Sequence, residues 1–217
     1  EKPLYLCFNK LFICASSDLN AIKNIPGFKK NINKSVLSEY LKYNYIPSPN
    51  TIFENTFKLP PASYIELDLK LYKFKEFKNF NVVKEENSIK FIKWWNIDKN
   101  KKDLSNLDNI EIKNMFHDML FYSVKSQLIS DVPLGAFLSS GIDSSLIVSM
   151  MQEIQSNTKT FTIGYENKIY DESNQSKKIA EFLETDHSSY IFSNQEIIKI
   201  IKNSSDVFSE PFSDSSQ

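Results

Sequence analysis

Residues whose types and spacing could bind a phosphate lie between positions 137 and 145. The segment reads Phe-Leu-Ser-Ser-Gly-Ile-Asp-Ser-Ser and stands between an apolar strand pattern and a helix pattern. Serine hydroxyls can donate to phosphate oxygens, a glycine lets the backbone approach them, and a carboxylate can hold the Mg²⁺ that a polyphosphate brings. The segment therefore predicts a phosphate loop. Its candidate residues are Ser139, Ser140, Gly141, Asp143, Ser144 and Ser145.

The loop lacks the lysine of the G-x-x-x-x-G-K-[ST] motif that contacts β- and γ-phosphates. Its composition therefore favours adenylylation, in which pyrophosphate leaves, over phosphoryl transfer to a hydroxyl. A structural interpretation stands beside this one. Ser-Ser-Gly can make a plain turn, with Asp143 and Ser144 capping the next helix. Composition alone leaves both interpretations open.

Strand and helix patterns alternate with short connections from residue 132 onward. The strand patterns cover residues 132–138, 160–164 and 187–192, and a helix pattern follows each of them. A long helical stripe over residues 112–128 precedes them, and Ser193-Asn-Gln-Glu196 forms a capping box before the last helix. This order predicts an α/β fold with a parallel sheet and helices on both faces.

The first third is typical of a β-rich region. Apolar runs on either side of Asn9-Lys10 predict a hairpin with a two-residue turn, in which Cys7 and Cys14 are not opposite each other. This register favours buried free thiols in a reducing compartment. Residues 76–107 are rich in Asn, Lys and Asp and contain Trp94-Trp95, which predicts a linker anchored by its tryptophans.

Composition excludes several classes of protein. The 26 basic residues, all of them Lys, nearly balance 27 acidic ones, which argues against nucleic-acid binding by bulk charge. No apolar stretch approaches the roughly 20 residues of a membrane span, and no signal-peptide pattern opens the chain. We therefore expect a cytoplasmic protein. The sequence begins with Glu and ends without a stop signal for secondary structure, as expected for a segment of a longer chain.

Residues 133–145, Pro-Leu-Gly-Ala-Phe-Leu-Ser-Ser-Gly-Ile-Asp-Ser-Ser, resemble the S-G-G-x-D-S pyrophosphate loop of glutamine-dependent, class B asparagine synthetases. The resemblance extends along the whole chain, because further segments occur in that family's order and spacing. It implies that residues 1–75 end an N-terminal-nucleophile glutaminase domain, that residues 76–107 form a linker, and that residues 108–217 begin an ATP pyrophosphatase-type synthetase domain. The further segments are residues 1–5, 17–22, 45–53, 58–61, 160–164, 170–172 and 210–217.

The resemblance also implies a reaction. The side-chain carboxylate of aspartate attacks the α-phosphate of ATP, giving β-aspartyl-AMP and pyrophosphate, and ammonia from glutamine then displaces AMP. Asp143 is the implied catalytic and Mg²⁺-binding residue, with ATP and Mg²⁺ as cofactors. The expected partners are these small molecules, with no nucleic acid or membrane, and a homodimer stays open. The implied nucleotide-binding residues are Phe137, Leu138, Ser139, Ser140, Gly141, Asp143, Ser144, Ser145 and Ile163.

Asp171, Glu172 and Asp214 carry further expectations, and so does Ser140. Asp171 and Glu172 match an acidic pair of the family, but a helix cap with a first-turn acid explains them as well. Asp214 lies in a matching Pro-x-x-Asp-Ser segment that is expected to fold toward the same cleft. Ser140 stands where the family usually has glycine, so a positive φ there would strain it.

Two alternatives to asparagine synthesis stay open. The acceptor can be another carboxylate, such as a sugar acid or the acid of an intramolecular amide closure of the β-lactam type. The chain can also be a non-catalytic paralogue in which Ser140 disables the loop. The family's glutaminase nucleophile and second nucleotide loop are expected outside these 217 residues, so the segment alone is expected to be incomplete.

Overall fold

The computed structural model describes residues 2–101, 103–169, 171–203 and 207–213. The chain divides into two compact units. The first comprises Glu1–Lys101 together with Ile201–Gln217, and the second comprises Lys102–Ile200. Among the helices in the described ranges, none is both long enough and apolar enough to cross a membrane.

The first unit is built on antiparallel strands, in agreement with the β-rich character predicted. In one sheet, β1 (Tyr5–Phe8) lies between β2 (Ile13–Ser16) and β3 (Thr56–Lys58). In the other, β4 (Ser63–Leu67) pairs with β5 (Ile89–Lys93). The helices of this unit are α1 (Leu19–Lys23), α2 (Leu37–Tyr43) and α3 (Phe80–Lys84), with short 3-10 helices at Lys34–Val36 and Ile97–Asn100.

Strand β1 is central to the core of this unit because all of its side chains are buried. Side chains alternate between the two faces of a strand. Leu6 and Phe8 therefore enter one apolar cluster, whereas Tyr5 and Cys7 enter another. The first cluster also contains Phe57, Tyr72, Phe77, Phe80, Val83 and Ile89, and the second Leu19, Ile22, Val36, Ile46 and Ile52.

The predicted hairpin forms, but the predicted register is wrong. Cys7 pairs directly with Cys14, so the connecting loop covers residues 9–12. The Asn9 side chain accepts two backbone N–H hydrogen bonds within this loop, 2.6 and 2.9 Å long, which favours the wider turn. Both thiols are free, as predicted, although only Cys7 is fully buried. Burial raises the pKa of Cys7 to about 12, so this thiol stays protonated.

The prediction that residues 76–107 form a linker is wrong for much of that stretch. It supplies α3 and β5 to the first unit, and Phe77, Phe80 and Val83 are almost completely buried there. The free energy gained by burying these apolar side chains is sufficient to fold the stretch, although the residues around them are polar. Trp94-Trp95 does not anchor the stretch in a core, because both rings are exposed.

Residues 207–213 pack on the first unit through Glu210. Its Oε1 accepts a hydrogen bond from the Ile52 N–H (2.7 Å), and its Oε2 forms an ion pair with Lys58 Nζ (2.6 Å). Lys58 Nζ also donates to the Ile46 carbonyl (2.6 Å). The Lys58 and Glu210 side chains are only 18% and 9% exposed, so the pair is largely shielded from water. This segment thus belongs to the first unit, although its sequence was predicted to continue the second.

The second unit confirms the predicted parallel sheet. Strand β6 (Gly135–Phe137) pairs with β7 (Lys159–Tyr165), which pairs with β8 (Asp186–Phe192). Helix α4 (Asn109–Gln127) precedes the sheet, and α5 (Ile142–Ile154), α6 (Ser173–Phe182) and α7 (Asn194–Lys202) follow β6, β7 and β8 in turn. The predicted capping box is also confirmed, because Ser193 and Glu196 exchange side-chain to backbone hydrogen bonds of 2.9 and 3.3 Å.

Helices α5 and α6 cover one face of this sheet, and the presence of helices on both faces stays a prediction. Val148 of α5 and Ala180 of α6 pack with Leu138 against the face that carries the buried Thr160 and Thr162. The opposite face carries apolar side chains that remain exposed. They are Phe137, Phe161, Ile163 and Tyr190.

We expect Glu210→Ala to lower the free energy of unfolding of the first unit by about 3 kcal/mol. The substitution would leave Lys58 and the Ile52 N–H without a shielded partner, which costs more than the net gain of forming the contacts. Urea unfolding followed by tryptophan fluorescence measures the loss, because Trp94-Trp95 lies in this unit.

Glu66→Ala is the matched control for this prediction. Glu66 pairs with Lys90 at 3.2 Å, but both side chains are largely exposed. A surface pair of this kind contributes about 1 kcal/mol or less. Equal losses in the two variants would contradict a structural role for Glu210.

Candidate functional site

The predicted phosphate loop lies at the carboxyl edge of the parallel sheet. Strand β6 ends at Phe137, Leu138 donates a backbone hydrogen bond to the Phe161 carbonyl (2.8 Å), and α5 begins at Ile142. The helix begins earlier than predicted, which places Asp143 in its first turn. In parallel α/β sheets, ligands bind beyond this edge, where helix N-termini present unpaired N–H groups.

The loop serines form a small hydrogen-bond network. Ser144 Oγ accepts from the Ser139 N–H (3.2 Å) and lies 2.8 Å from Ser139 Oγ. Ser145 Oγ donates to the Gly141 carbonyl (2.8 Å), and the Gly141 N–H donates to Ser139 Oγ (3.3 Å). The structure therefore brings four of the predicted loop residues together at the start of α5.

The start of α5 has no side-chain cap. Its N-cap residue is Gly141, and within the described residues no side chain accepts a hydrogen bond from the first-turn N–H groups. The exposed Asp143 carboxylate makes no hydrogen bond or ion pair within the part of the chain that the structure describes. The interpretation in which Asp143 and Ser144 cap this helix is therefore wrong. An anion and its cation can meet free N–H groups and a free carboxylate here.

Ser140 is not strained, because its φ is not positive. Among the described residues, positive φ at non-glycine positions occurs elsewhere in the chain. Both donors of Ser140 bind one acceptor instead. The Ser140 N–H (3.1 Å) and Oγ (2.6 Å) donate to Glu172 Oε2.

The two acidic residues before α6 have different roles. Asp171 Oδ1 accepts from the Ser173 N–H (3.1 Å) and the Tyr165 N–H (3.4 Å), which caps the helix. Glu172 instead reaches the phosphate loop, a contact that was missing from the predicted site. Hydrogen bonds from Ser173 lower the pKa of Asp171, and hydrogen bonds from Ser140 lower the pKa of Glu172. In the sequence, the sign that Glu172 could belong to the site was its place in an acidic pair that follows a strand.

Gly164 allows the turn between β7 and α6 to approach the sheet. A Cβ at this position would lie 2.4 Å from Ile191 Cδ1, 2.6 Å from Asp171 Oδ1 and 3.0 Å from Ser173 Cβ. The first two separations are far below van der Waals contact. The absence of a side chain therefore leaves room for the Asp171 carboxylate at the start of α6.

Comparison with known proteins gives the family. The family model for asparagine synthase matches residues 115–217, and the model for the glutamine amidotransferase domain matches residues 1–78. A Methanocaldococcus jannaschii protein assigned as asparagine synthetase (glutamine-hydrolyzing) 2 is 32% identical over 217 residues, covering 98% of this chain and 38% of that protein. The chain belongs to the glutamine-hydrolysing asparagine synthetase family.

Other members of the asparagine synthetase family show similar partial coverage. Asparagine synthetase (glutamine-hydrolyzing) 1 of Bacillus subtilis is 27% identical over 183 residues, covering 84% of this chain and 26% of that protein. Asparagine synthetase B of Escherichia coli is 48% identical over 46 residues, covering 21% of this chain and 8% of that protein. The chain thus spans less than half the length of these asparagine synthetases.

Three of the nucleotide-binding residues that the asparagine synthetase resemblance implies, Phe137, Leu138 and Ile163, lie on opposite faces of the sheet. Phe137 and Ile163 are 75% and 45% exposed on the open face. The Leu138 side chain is only 2% exposed and packs with Val148 and Ala180 in the core. The prediction is therefore corrected for the Leu138 side chain, because successive residues of a strand point to opposite faces. Asp214 lies outside the described residues.

The loop provides oxygen donors for a cation. In the described ranges, no group of three or more His, Cys, Asp or Glu side chains could hold a metal ion by itself. Mg²⁺ is usually held by one or two carboxylates together with water and substrate phosphates. The single free carboxylate of Asp143 and the neighbouring serine hydroxyls fit that donor set.

We expect Gly164→Ala to destabilise the turn before α6. The new Cβ would displace Asp171 or Ile191, and overpacking of this kind costs about 1–3 kcal/mol. Hydrogen–deuterium exchange should show faster exchange over residues 165–173. Ser189→Ala, on an exposed position of β8, is the control and should leave exchange unchanged. Normal exchange in the Gly164 variant would show that the turn tolerates a Cβ.

Proposed function

We propose that the full-length protein makes asparagine from aspartate and glutamine at the expense of ATP. The observation that carries this proposal is the start of α5, where first-turn N–H groups without a side-chain cap lie beside the free Asp143 carboxylate. This arrangement suits a magnesium-bound polyphosphate and stands at the ligand-binding edge of a parallel sheet. Membership of the asparagine synthetase family supports the same chemistry.

In the proposed reaction, the side-chain carboxylate of aspartate attacks the α-phosphate of ATP. Pyrophosphate leaves with the electron pair of the broken P–O bond, and β-aspartyl-AMP remains. Ammonia released from glutamine then displaces AMP and yields asparagine. Negative charge develops on the leaving pyrophosphate in the transition state. Hydrogen-bond donors fixed at its position therefore contribute most to the rate.

The proposal assigns roles to the loop residues other than Ser140. The first-turn N–H groups of α5 and the hydroxyls of Ser139, Ser144 and Ser145 would donate to pyrophosphate oxygens. Gly141 would let the backbone approach them. Asp143 would hold Mg²⁺, which supplies positive charge next to the leaving group. The exposed side chains of Phe137 and Ile163 provide an apolar surface that suits adenosine.

We propose that the first unit belongs to the glutaminase part and the second to the synthetase part. The matched ranges support this division, because residues 1–78 fall in the first unit and most of residues 115–217 fall in the second. The two half-reactions should then be separable, since only ammonia has to pass between them.

The proposed function is tested with the full-length protein, magnesium, ATP and aspartate. We expect aspartate-dependent exchange of radioactive pyrophosphate into ATP, and asparagine formation with either glutamine or ammonium as nitrogen source. Exchange with a sugar acid but not with aspartate would show a different acceptor. Absence of Mg-ATP binding by calorimetry would show a non-catalytic paralogue.

We expect Asp143→Ala to lower the rate of pyrophosphate exchange by about a hundredfold, which corresponds to about 3 kcal/mol of lost charge stabilisation. Asp143→Asn should lose most of that rate as well, because a neutral amide is a poor ligand for Mg²⁺. Asp186→Ala, at the opposite end of the sheet, is the control and should keep full activity. Activity of the Asp143 variants within about threefold of the parent would overturn the metal-binding role.

A further inference from the structure

We propose that Glu172 is a positioning residue that holds the phosphate loop in its binding shape through Ser140. The inference rests on the proposed function, because the loop is taken to bind the pyrophosphate part of ATP. Glu172 contacts the loop and not the reacting atoms, so it would act through the conformation of Ser140 and Gly141.

The contact between Ser140 and Glu172 consists of two hydrogen bonds. The N–H and the Oγ of Ser140 both donate to Glu172 Oε2, at 3.1 and 2.6 Å, across 32 positions of sequence. Hydrogen bonds to a charged acceptor are roughly twice as strong as those between neutral groups. The carboxylate therefore ties the tip of the loop to the turn between β7 and α6.

Glu172 is itself held by a rigid element. Its backbone carbonyl accepts hydrogen bonds from the N–H and the Oγ of Ser176, both 3.0 Å long, and Ser176 is fully buried. Asp171 caps the same helix, and Ala180 anchors that helix in the core. The loop tip is therefore tied to a packed helix, which limits its motion.

The contact determines which donors remain for a phosphate. The Ser140 N–H is occupied by Glu172, whereas the first-turn N–H groups of α5 have no side-chain partner among the described residues. The next residue, Gly141, has φ −74° and ψ 152° as the N-cap of α5. Because glycine has the greatest backbone freedom, a loop released from Glu172 would lose this orientation, and phosphate binding would then have to order it.

Ser140 contributes a donor that a glycine at this position would lack. Its φ is not positive, so the side chain is accommodated without strain. The hydroxyl makes the shorter of the two bonds to Glu172. We therefore expect Ser140→Gly to weaken the loop, both by losing this bond and by adding backbone freedom.

The kinetic test compares Glu172→Ala with Glu172→Gln in the full-length protein. The alanine variant should raise the KM for ATP in pyrophosphate exchange about tenfold, with a smaller change in kcat. The glutamine variant should stay within about threefold of the parent, because its amide oxygen still accepts both hydrogen bonds. Glu181→Ala is the control, since this exposed α6 residue pairs only with Lys177, at 4.0 Å, within the described chain.

A double-mutant cycle separates a shared contact from two independent roles. Ser140→Ala should raise the KM about threefold, and adding Ser140→Ala to Glu172→Ala should change it no further. If the double variant instead raises the KM by the product of the two single-variant factors, the residues act separately. That result would overturn the proposal.

Hydrogen–deuterium exchange of the nucleotide-free protein tests the contact without any reaction. Residues 137–146 should exchange faster in Glu172→Ala and normally in Glu172→Gln, with equal melting temperatures. If the parent neither binds Mg-ATP nor exchanges pyrophosphate, the proposed function fails, while this measurement still decides whether Glu172 orders the loop. Unchanged exchange in Glu172→Ala would overturn the positioning role. An equal rise of the KM for ATP in both Glu172 variants, together with a raised Mg²⁺ requirement, would also overturn it. That result would identify Glu172 as a metal ligand.

Discussion

Parallel pairing of β6 with β7 is the constraint on which the candidate site depends. Because the carboxyl ends of parallel strands meet at one edge, the loop after β6 and the turn after β7 become neighbours. The buried Thr162 hydroxyl reinforces this register by donating to the Leu138 carbonyl (2.5 Å) just past the end of β6. A slip of two residues would shift the loop by about 7 Å and separate Ser140 from Glu172.

The helices of the second unit begin in two contrasting ways. Helix α4 begins with a complete capping box, in which Asp108 and Glu111 satisfy each other's backbone N–H groups. Helix α5 begins at Ile142, after the N-cap residue Gly141, and has no side-chain cap. Glycine at the N-cap in place of Ser or Asp costs about a few tenths of a kcal/mol of helix stability. Unsatisfied donors of this kind are expected where a site is arranged for a ligand rather than for stability.

Local patterns were sufficient to predict several parts of this molecule. The strand and helix alternation, the Ser193–Glu196 capping box and the serine-rich loop between β6 and α5 each depend on residues close together in sequence. The register of the first hairpin was not predictable from the apolar runs alone, because the Asn9 side chain builds a wider turn. The contact of Glu172 with Ser140 required the tertiary fold, since it joins two separate connections of the sheet. Phe137 and Leu138 point to opposite faces because side chains alternate along a strand. The family resemblance matches positions in sequence and does not say to which face a side chain points.

The contact between Glu210 and the Ile52 N–H spans 158 positions of sequence. A ribosome therefore makes the whole of the second unit after Ile52 and before Glu210. At the usual speed of synthesis, on the order of ten seconds separate the two partners. During that interval the antiparallel strands around β1 must hold together without the carboxylate that shields Lys58. The first unit thus begins to fold early, but its Glu210 contact forms only after residues 102–200 have been synthesised.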